Sequence, residues 1–516
     1  MTEYLDREWD LIVVGTGMGG ATLGRALAEK GWSVLFLEKG RRGFRAEQQS
    51  LSPAISDPVA RLVRGCWPEM VSSTIDGREH SFHAPLGCGV GGSSVFYAGT
   101  LERPEPRDLD HSEAFPHPTG GWPFSWNELL PWISAAEAMY GVQGGCSRTS
   151  EQQNSPVPIP AVSVDDAAIM DRLQANGCHP YRLGSSIKGI DGCLSCLGVK
   201  CPRHCKMDAR SAGVEPAMAT GRVELLDQCE VVAVRGTENR ITHVEAIRHG
   251  QRLNLRARRF ALAAGALSSP RILLASASAA WPDGCGNGSD QVGRNLMFHL
   301  NEMFAIWPPS VRRTASPSKS VGLRDLYTVQ GHRLGMIQAM GVNVDYGAIV
   351  HFLKERMVAK GWASLTRLAP MMGWSASRLL GQAKLFVGLL EDFPYPENRV
   401  LLDNSRPSRI VFEYSIRPEL LARHKLFRKK IRHAFRGMRP VFVNWQPELN
   451  FGHPCGTLRA GTDPRTSVLD ADCRVHNVDN LYVVDASFFP TSMGVNPSLT
   501  IAANALRVAN LMDKAS

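Results

Sequence analysis

No apolar run in this chain of 516 residues reaches the ~18 residues a helix needs to cross a bilayer, so no membrane-spanning helix is expected. The opening residues, MTEYLDREWD, are acidic and have no apolar centre, which argues against a secretory signal and for the cytoplasm. Blocks of Lys and Arg are missing too. The net charge of +9 is spread along the chain, as on a solvated surface, and no nucleic-acid partner is expected. What remains is ordinary for a soluble globular enzyme: 44% hydrophobic and 21% charged residues. The length allows two or three domain-sized units with sizeable cores. Twelve cysteines without an export signal are expected to be mostly reduced thiols.

The chain is organised around Asp10 to Gly40. An apolar run from Leu11 to Val14 predicts a buried strand, and Gly15, Gly17 and Gly20 follow at G-x-G-x-x-G spacing. A helical pattern (Ala21, Leu23, Ala26, Leu27) follows and closes at Gly31, and a second strand runs from Ser33 to Leu37 and ends in Glu38. Each part suits a dinucleotide. Gly15 permits the tight turn, Gly17 lets a pyrophosphate approach the backbone, and Gly20 lets helix and strand pack closely. Free N–H groups at the helix start, beside Met18, face the phosphate charge. The Glu38 carboxylate can accept the hydroxyls of an adenosine ribose.

Further on, Gly87, Gly89, Gly91 and Gly92 precede Ser93 and Ser94, a backbone suited to passing very close to a flat or charged group. Cys193, Cys196, Cys201 and Cys205 stand at C-x2-C-x4-C-x3-C spacing; four thiols there are either structural thiols or ligands of an iron–sulfur cluster or Zn²⁺. Strands leading to Ala264 and Gly265 open into Ala-Leu-Ser-Ser-Pro, where Pro270 can start a helix. Val292-GRNLMFH ends in His299, and the chain closes with Phe451-GHPCGT, Leu481-YVVDAS and Gly494-VNPSLT.

These blocks resemble, in order, the signatures of the glucose–methanol–choline (GMC) oxidoreductases. The resemblance implies an α/β fold: a doubly wound Rossmann-like domain that binds FAD, with a second, α+β substrate-binding domain covering it. The FAD domain would be assembled from residues 1–120, 205–300 and 452–516, and the substrate domain and connections from 121–204 and 301–451. It also implies FAD contacts at Gly92, Ser93, Ser94, Val232, Ala264, Gly265, Asp485, Ala486, Asn496 and Pro497. The Gly87 to Gly99 loop has no His to which FAD could attach, so a dissociable cofactor is expected. The family's active-site pair falls on His453 and Asn496. Neutral imidazole near pH 7 suits removal of a hydroxyl proton, and an amide can hold the same oxygen. His299 and His476 are read as structural, His299 as a hydrogen-bonding residue at the domain junction. Some sugar dehydrogenase subunits of this kind carry a cluster near the flavin, whereas Lys206 and Ser211 fit the metal-free pattern.

The expected reaction is oxidation of a CH–OH group in a small alcohol, polyol or sugar. No motif reports the electron acceptor, be it O₂, a quinone or a redox protein. A hydroxynitrile lyase, a fatty-acid photodecarboxylase and an electron-transfer subunit are the other readings. Met357, Trp362, Met371, Met372, Trp374 and Phe386 make the stretch before Leu390 apolar, interleaved with Lys and Arg. Core packing is the expectation there, with a substrate mouth or a lipid-touching surface as the alternatives.

Overall fold

The computed structural model describes residues 7–44, 57–145, 162–188, 193, 198–307, 319–341, 350, 353–354, 357, 362–380, 383–444 and 446–515. The chain opens with strand Trp9–Val14, helix Met18–Ala28 and strand Val34–Leu37. The branched apolar run of the first strand is buried because parallel strands flank it on both edges. Across this sheet the order is Val223–Leu226, Val34–Leu37, Trp9–Val14, Gln251–Leu262 and Leu481–Val483, all parallel. Leu262 pairs with Val14 on one side and with Val483 on the other. Strand ends from the head, middle and tail of the chain therefore share one edge, where ligands bind in doubly wound sheets. The N-terminal part of Gln251–Leu262 extends beyond this sheet and joins Arg240–Arg248 and Cys229–Thr237 in an antiparallel meander.

Helices Met18–Ala28, Trp126–Tyr140 and Ser498–Lys514 pack on one another. Thr22 Oγ1 and Tyr140 OH share a hydrogen bond of 2.7 Å between two of them. Trp126–Tyr140 starts with Ser125 and Glu128 capping each other's backbone N–H. Ahead of it, Trp122 is clasped by Phe124, Phe488 and Phe489 at ring separations of 5.8, 5.8 and 5.3 Å.

A second, antiparallel sheet has Leu300–Ile306 and Lys384–Leu390 at its centre, joined by Ile337–Ala339, Val321–Leu323, Tyr181–Arg182 and two short edge strands. Alternation along its strands separates two faces. Phe304 and Phe386 turn toward helix Pro418–Ala434 and pack on Phe435 at 4.9 and 5.3 Å. Asn301, Met303, Val387 and Leu389 turn the other way, into the cleft described below. A third sheet joins Val71–Ile75 and Arg78–Phe82 to Arg399–Leu401 and Val411–Tyr414, tying residues from the head of the chain to strands between 399 and 414.

In the apolar stretch, Met357 and Phe386 are buried, but Trp362, Met371, Met372 and Trp374 are 42–64% exposed, so core packing is not their common fate. None of the six lines the main cavity. Among the described residues no helix is long and apolar enough to cross a membrane.

Candidate active site

A cavity of about 530 Å³ lies at the C-terminal ends of the parallel strands, and the antiparallel sheet roofs it. Its floor is the first glycine turn. Gly15 has φ +99° and sits so close to the next strand that a Cβ there would lie 2.4 Å from the Ala263 carbonyl oxygen. At Gly20 a Cβ would lie 2.2 Å from the Gly15 oxygen, which is the close helix–strand packing the spacing predicts. A Cβ on Gly17, by contrast, would meet nothing within 4 Å; this backbone is bare toward the cavity. The helix that follows carries no side-chain cap at its N-terminus, so its first N–H groups are available to an anion.

The second glycine loop closes over the first. A Cβ on Gly92 would lie 3.0 Å from Gly17 Cα, and Gly91 N–H donates to Thr16 Oγ1 at 3.1 Å. Ser93 and Ser94 line the cavity, yet their hydroxyls hold the loop to itself and its neighbour. Ser93 Oγ accepts from Gly87 N–H at 2.9 Å; Ser94 Oγ donates to Gly91 O at 2.7 Å and accepts from Ala209 N–H at 2.9 Å.

Glu38 stands at the far end of the cradle. Thr16 donates to Oε2 through Oγ1 (2.6 Å) and N–H (3.2 Å), and Gly40 N–H donates to Oε1 at 2.9 Å. These bonds fix the carboxylate's orientation, while burial pushes its pKa up. Beyond it Cys229, Glu230 and Val231 line the cavity. The sequence pointed to Val232, but Val231 is the lining residue. A register shift between Val231 and Ala233 and the alternation of the strand leave Val232 off that wall.

Met18, Ala264, Gly265, Asp485, Ala486, Asn496 and Pro497 all line the cavity. Asp485 is already well supplied with donors: Gly265 N–H (2.8 Å) and Ser269 Oγ at Oδ2, Ser487 N–H (2.9 Å) and its hydroxyl at Oδ1. It pins together the strand ends that carry the lining.

His453 and Asn496 meet the cavity at its near end. His453 follows a tight turn in which its own N–H donates to Asn450 O at 2.9 Å. Its Nδ1 lies 3.0 Å from Nδ1 of His299 and 3.1 Å from Asn450 Nδ2, whereas its Nε2 has no protein partner among the described residues. Burial first, then the neighbouring His299, pushes the His453 pKa down to about 3. Asn496 precedes helix Ser498–Lys514, and its Oδ1 is buried without a partner. His299, read from sequence as a junction residue, is therefore also in contact with the expected base. His476 is bonded to Ser467 Oγ at 2.9 Å and lies outside the cavity lining.

The roof contributes Asn301, Met303, Lys319, Gln338 and Met340, none of which the sequence identified. They sit in the segment where no motif guided the reading. Of the four clustered cysteines, Cys196 lies outside the described residues. The Sγ atoms of Cys201 and Cys205 are 3.3 Å apart, and among the described residues no group of three side chains is arranged to hold a metal ion.

These features fit a flavin dinucleotide. A bare backbone and uncapped helix suit its pyrophosphate, an oriented carboxylate its ribose, and an orphaned amide oxygen marks the other end. Comparison with known proteins agrees. Residues 9–301 and 394–505 match the N- and C-terminal models of the GMC oxidoreductases. The chain is 29% identical to paromamine 6'-oxidase from Streptomyces fradiae, over 98% of this chain and 91% of that one. It is 27% identical to 2-methyl-1,2-propanediol dehydrogenase from Mycolicibacterium austroafricanum, over 100% and 96%. The solved pyridoxine 4-oxidase from Mesorbium loti has the same fold, with a TM-score of 0.65 at 20% identity, covering 98% of this chain and 99% of that one.

Proposed function

The chain belongs to the GMC oxidoreductase family, FAD enzymes acting on CH–OH groups, and from that premise we propose that it oxidises an alcohol, polyol or sugar hydroxyl to a carbonyl with His453 as the base. Bound in the cradle, FAD supplies the acceptor for the hydride of the carbinol C–H. The protein's own residues manage the proton and the geometry. His453 is kept neutral by burial, so Nε2 offers a lone pair to the hydroxyl proton. Through its amide N–H, Asn496 donates to the same oxygen and so orients the C–H. Asn301, Gln338 and Lys319 on the roof offer polar contacts to the rest of a hydroxylated substrate, among Met303, Met340, Val387 and Leu389.

One observation carries the reading: the His453 imidazole and the Asn496 amide border the same cavity as the dinucleotide cradle. The test is anaerobic mixing of the yellow protein with a panel of alcohols and sugars, read at the flavin absorbance. Bleaching by at least one member is expected. A protein that takes up no FAD, or that turns over substrate without bleaching, would overturn the proposal. Reoxidation by O₂ compared with a quinone then identifies the acceptor.

A further inference from the structure

His299 and His453 face each other nitrogen to nitrogen, and we infer that His299 is a positioning residue that sets the tautomer of His453, keeping its hydrogen on Nδ1 and its lone pair on Nε2. The inference rests on the reading of His453 as the base. It follows from counting hydrogens around two buried rings.

His299 Nε2 lies 3.0 Å from the Met493 main-chain oxygen. A carbonyl only accepts, so Nε2 carries the hydrogen. Burial holds the His299 pKa down at about 4, and the ring is 1% exposed. A neutral imidazole has a single N–H, so His299 Nδ1 presents a lone pair. That lone pair points at His453 Nδ1 across 3.0 Å, with the rings edge to face at 81°. Two lone pairs repel at that distance, so the hydrogen between them belongs to His453 Nδ1. His453 Nε2 is then the basic nitrogen, on the ring that lines the cavity.

One neighbour opposes this arrangement. Gly452 N–H donates to Asn450 Oδ1 at 3.1 Å, which turns Asn450 Nδ2 toward His453 Nδ1 at 3.1 Å. An amide donor there favours the other tautomer, with the hydrogen on Nε2 and no base facing the substrate. His299 is what tips the balance. Its main chain has a separate duty: the His299 carbonyl accepts from Asn450 N–H at 2.8 Å and clamps the turn that carries His453. Side-chain variants leave that clamp in place, so the ring can be tested by itself.

The experiment is ring-¹⁵N NMR of histidine-labelled holoenzyme, with the His453 signals identified by their loss in His453→Gln. In the natural protein His453 Nδ1 is expected to be protonated and Nε2 bare. His299→Phe puts an aromatic ring of similar shape there and removes the acceptor. It should invert the His453 pattern and slow flavin reduction ~10²-fold, the scale of general-base catalysis, with FAD still bound. His299→Gln retains an acceptor for His453 and a donor for Met493, and should keep both the tautomer and most of the rate. A hydrogen on Nε2 in the natural protein, or an unchanged pattern in His299→Phe, overturns the inference. Should His299→Phe not fold, the natural protein and His299→Gln still decide it. If His453→Ala reduced flavin normally while the tautomer inverted in His299→Phe, the base assignment would fall and the tautomer assignment stand.

Discussion

His453 is far from its ordinary chemistry: burial and the adjacent His299 take it from the usual imidazole range to about 3. The sign of the pH dependence follows. A depressed pKa means the ring is already unprotonated above about pH 4, so lowering the pH from 8 to 5 should not switch the base off. The expected kcat/KM profile has no acid limb near 6.5, and a rise centred there would show an ordinary, solvated imidazole. His453→Ala should leave FAD bound and slow the reductive half-reaction by at least ~10²-fold in stopped flow. The family resemblance pointed to His453 and Asn496 because each lies in a short local motif, and both line the cavity. The contact with His299 was not legible, since its partner is 154 positions away and only the fold brings the two rings together.

The strand–turn–helix from Trp9 to Ala28 works as a unit in which neighbouring glycines do different jobs. At Gly15 a side chain would need φ +99° and would strike the Ala263 carbonyl, so Gly15→Ala should lower the stability of the apoprotein by at least ~2 kcal/mol. At Gly17 the space is open to the cavity, so Gly17→Ala should leave the apoprotein melting temperature nearly unchanged while weakening FAD retention. Urea unfolding of both apoproteins, with the absorbance of the purified holoproteins, separates the two effects. The turn was legible because its spacing alone encodes it. The family resemblance implied Val232 where Val231 lines the cavity, and a bulge lies at this point of the strand. The exposed Trp362, Met371, Met372 and Trp374 likewise show that apolar content by itself does not assign a residue to a core.

Over the whole molecule, folding also buries a histidine outside the cavity lining as a neutral group. His117 is 4% exposed, accepts N–H bonds from Gly121 (3.1 Å) and Thr119 (3.2 Å) at Nδ1, and binds Asp108 O through Nε2 at 2.9 Å. Burial, reinforced by Arg333, lowers its pKa to about 4. Between that value and the unfolded ~6.5 the unfolded chain binds the extra proton, so this contribution to stability is full above about pH 6.5 and is lost as the pH falls. His117→Gln should therefore remove about 2 kcal/mol of the stability difference between pH 7 and pH 5, measured by urea unfolding against the natural protein. What the sequence determined by itself was the dinucleotide half, because glycine spacing and strand runs act on residues a few positions apart. The roof of the cavity, the bulged wall and the His299 ring beside His453 were decided only in three dimensions. Their contacts join strands and turns from distant parts of the chain, and such pairings depend on how sheets stack, which short-range spacing does not record.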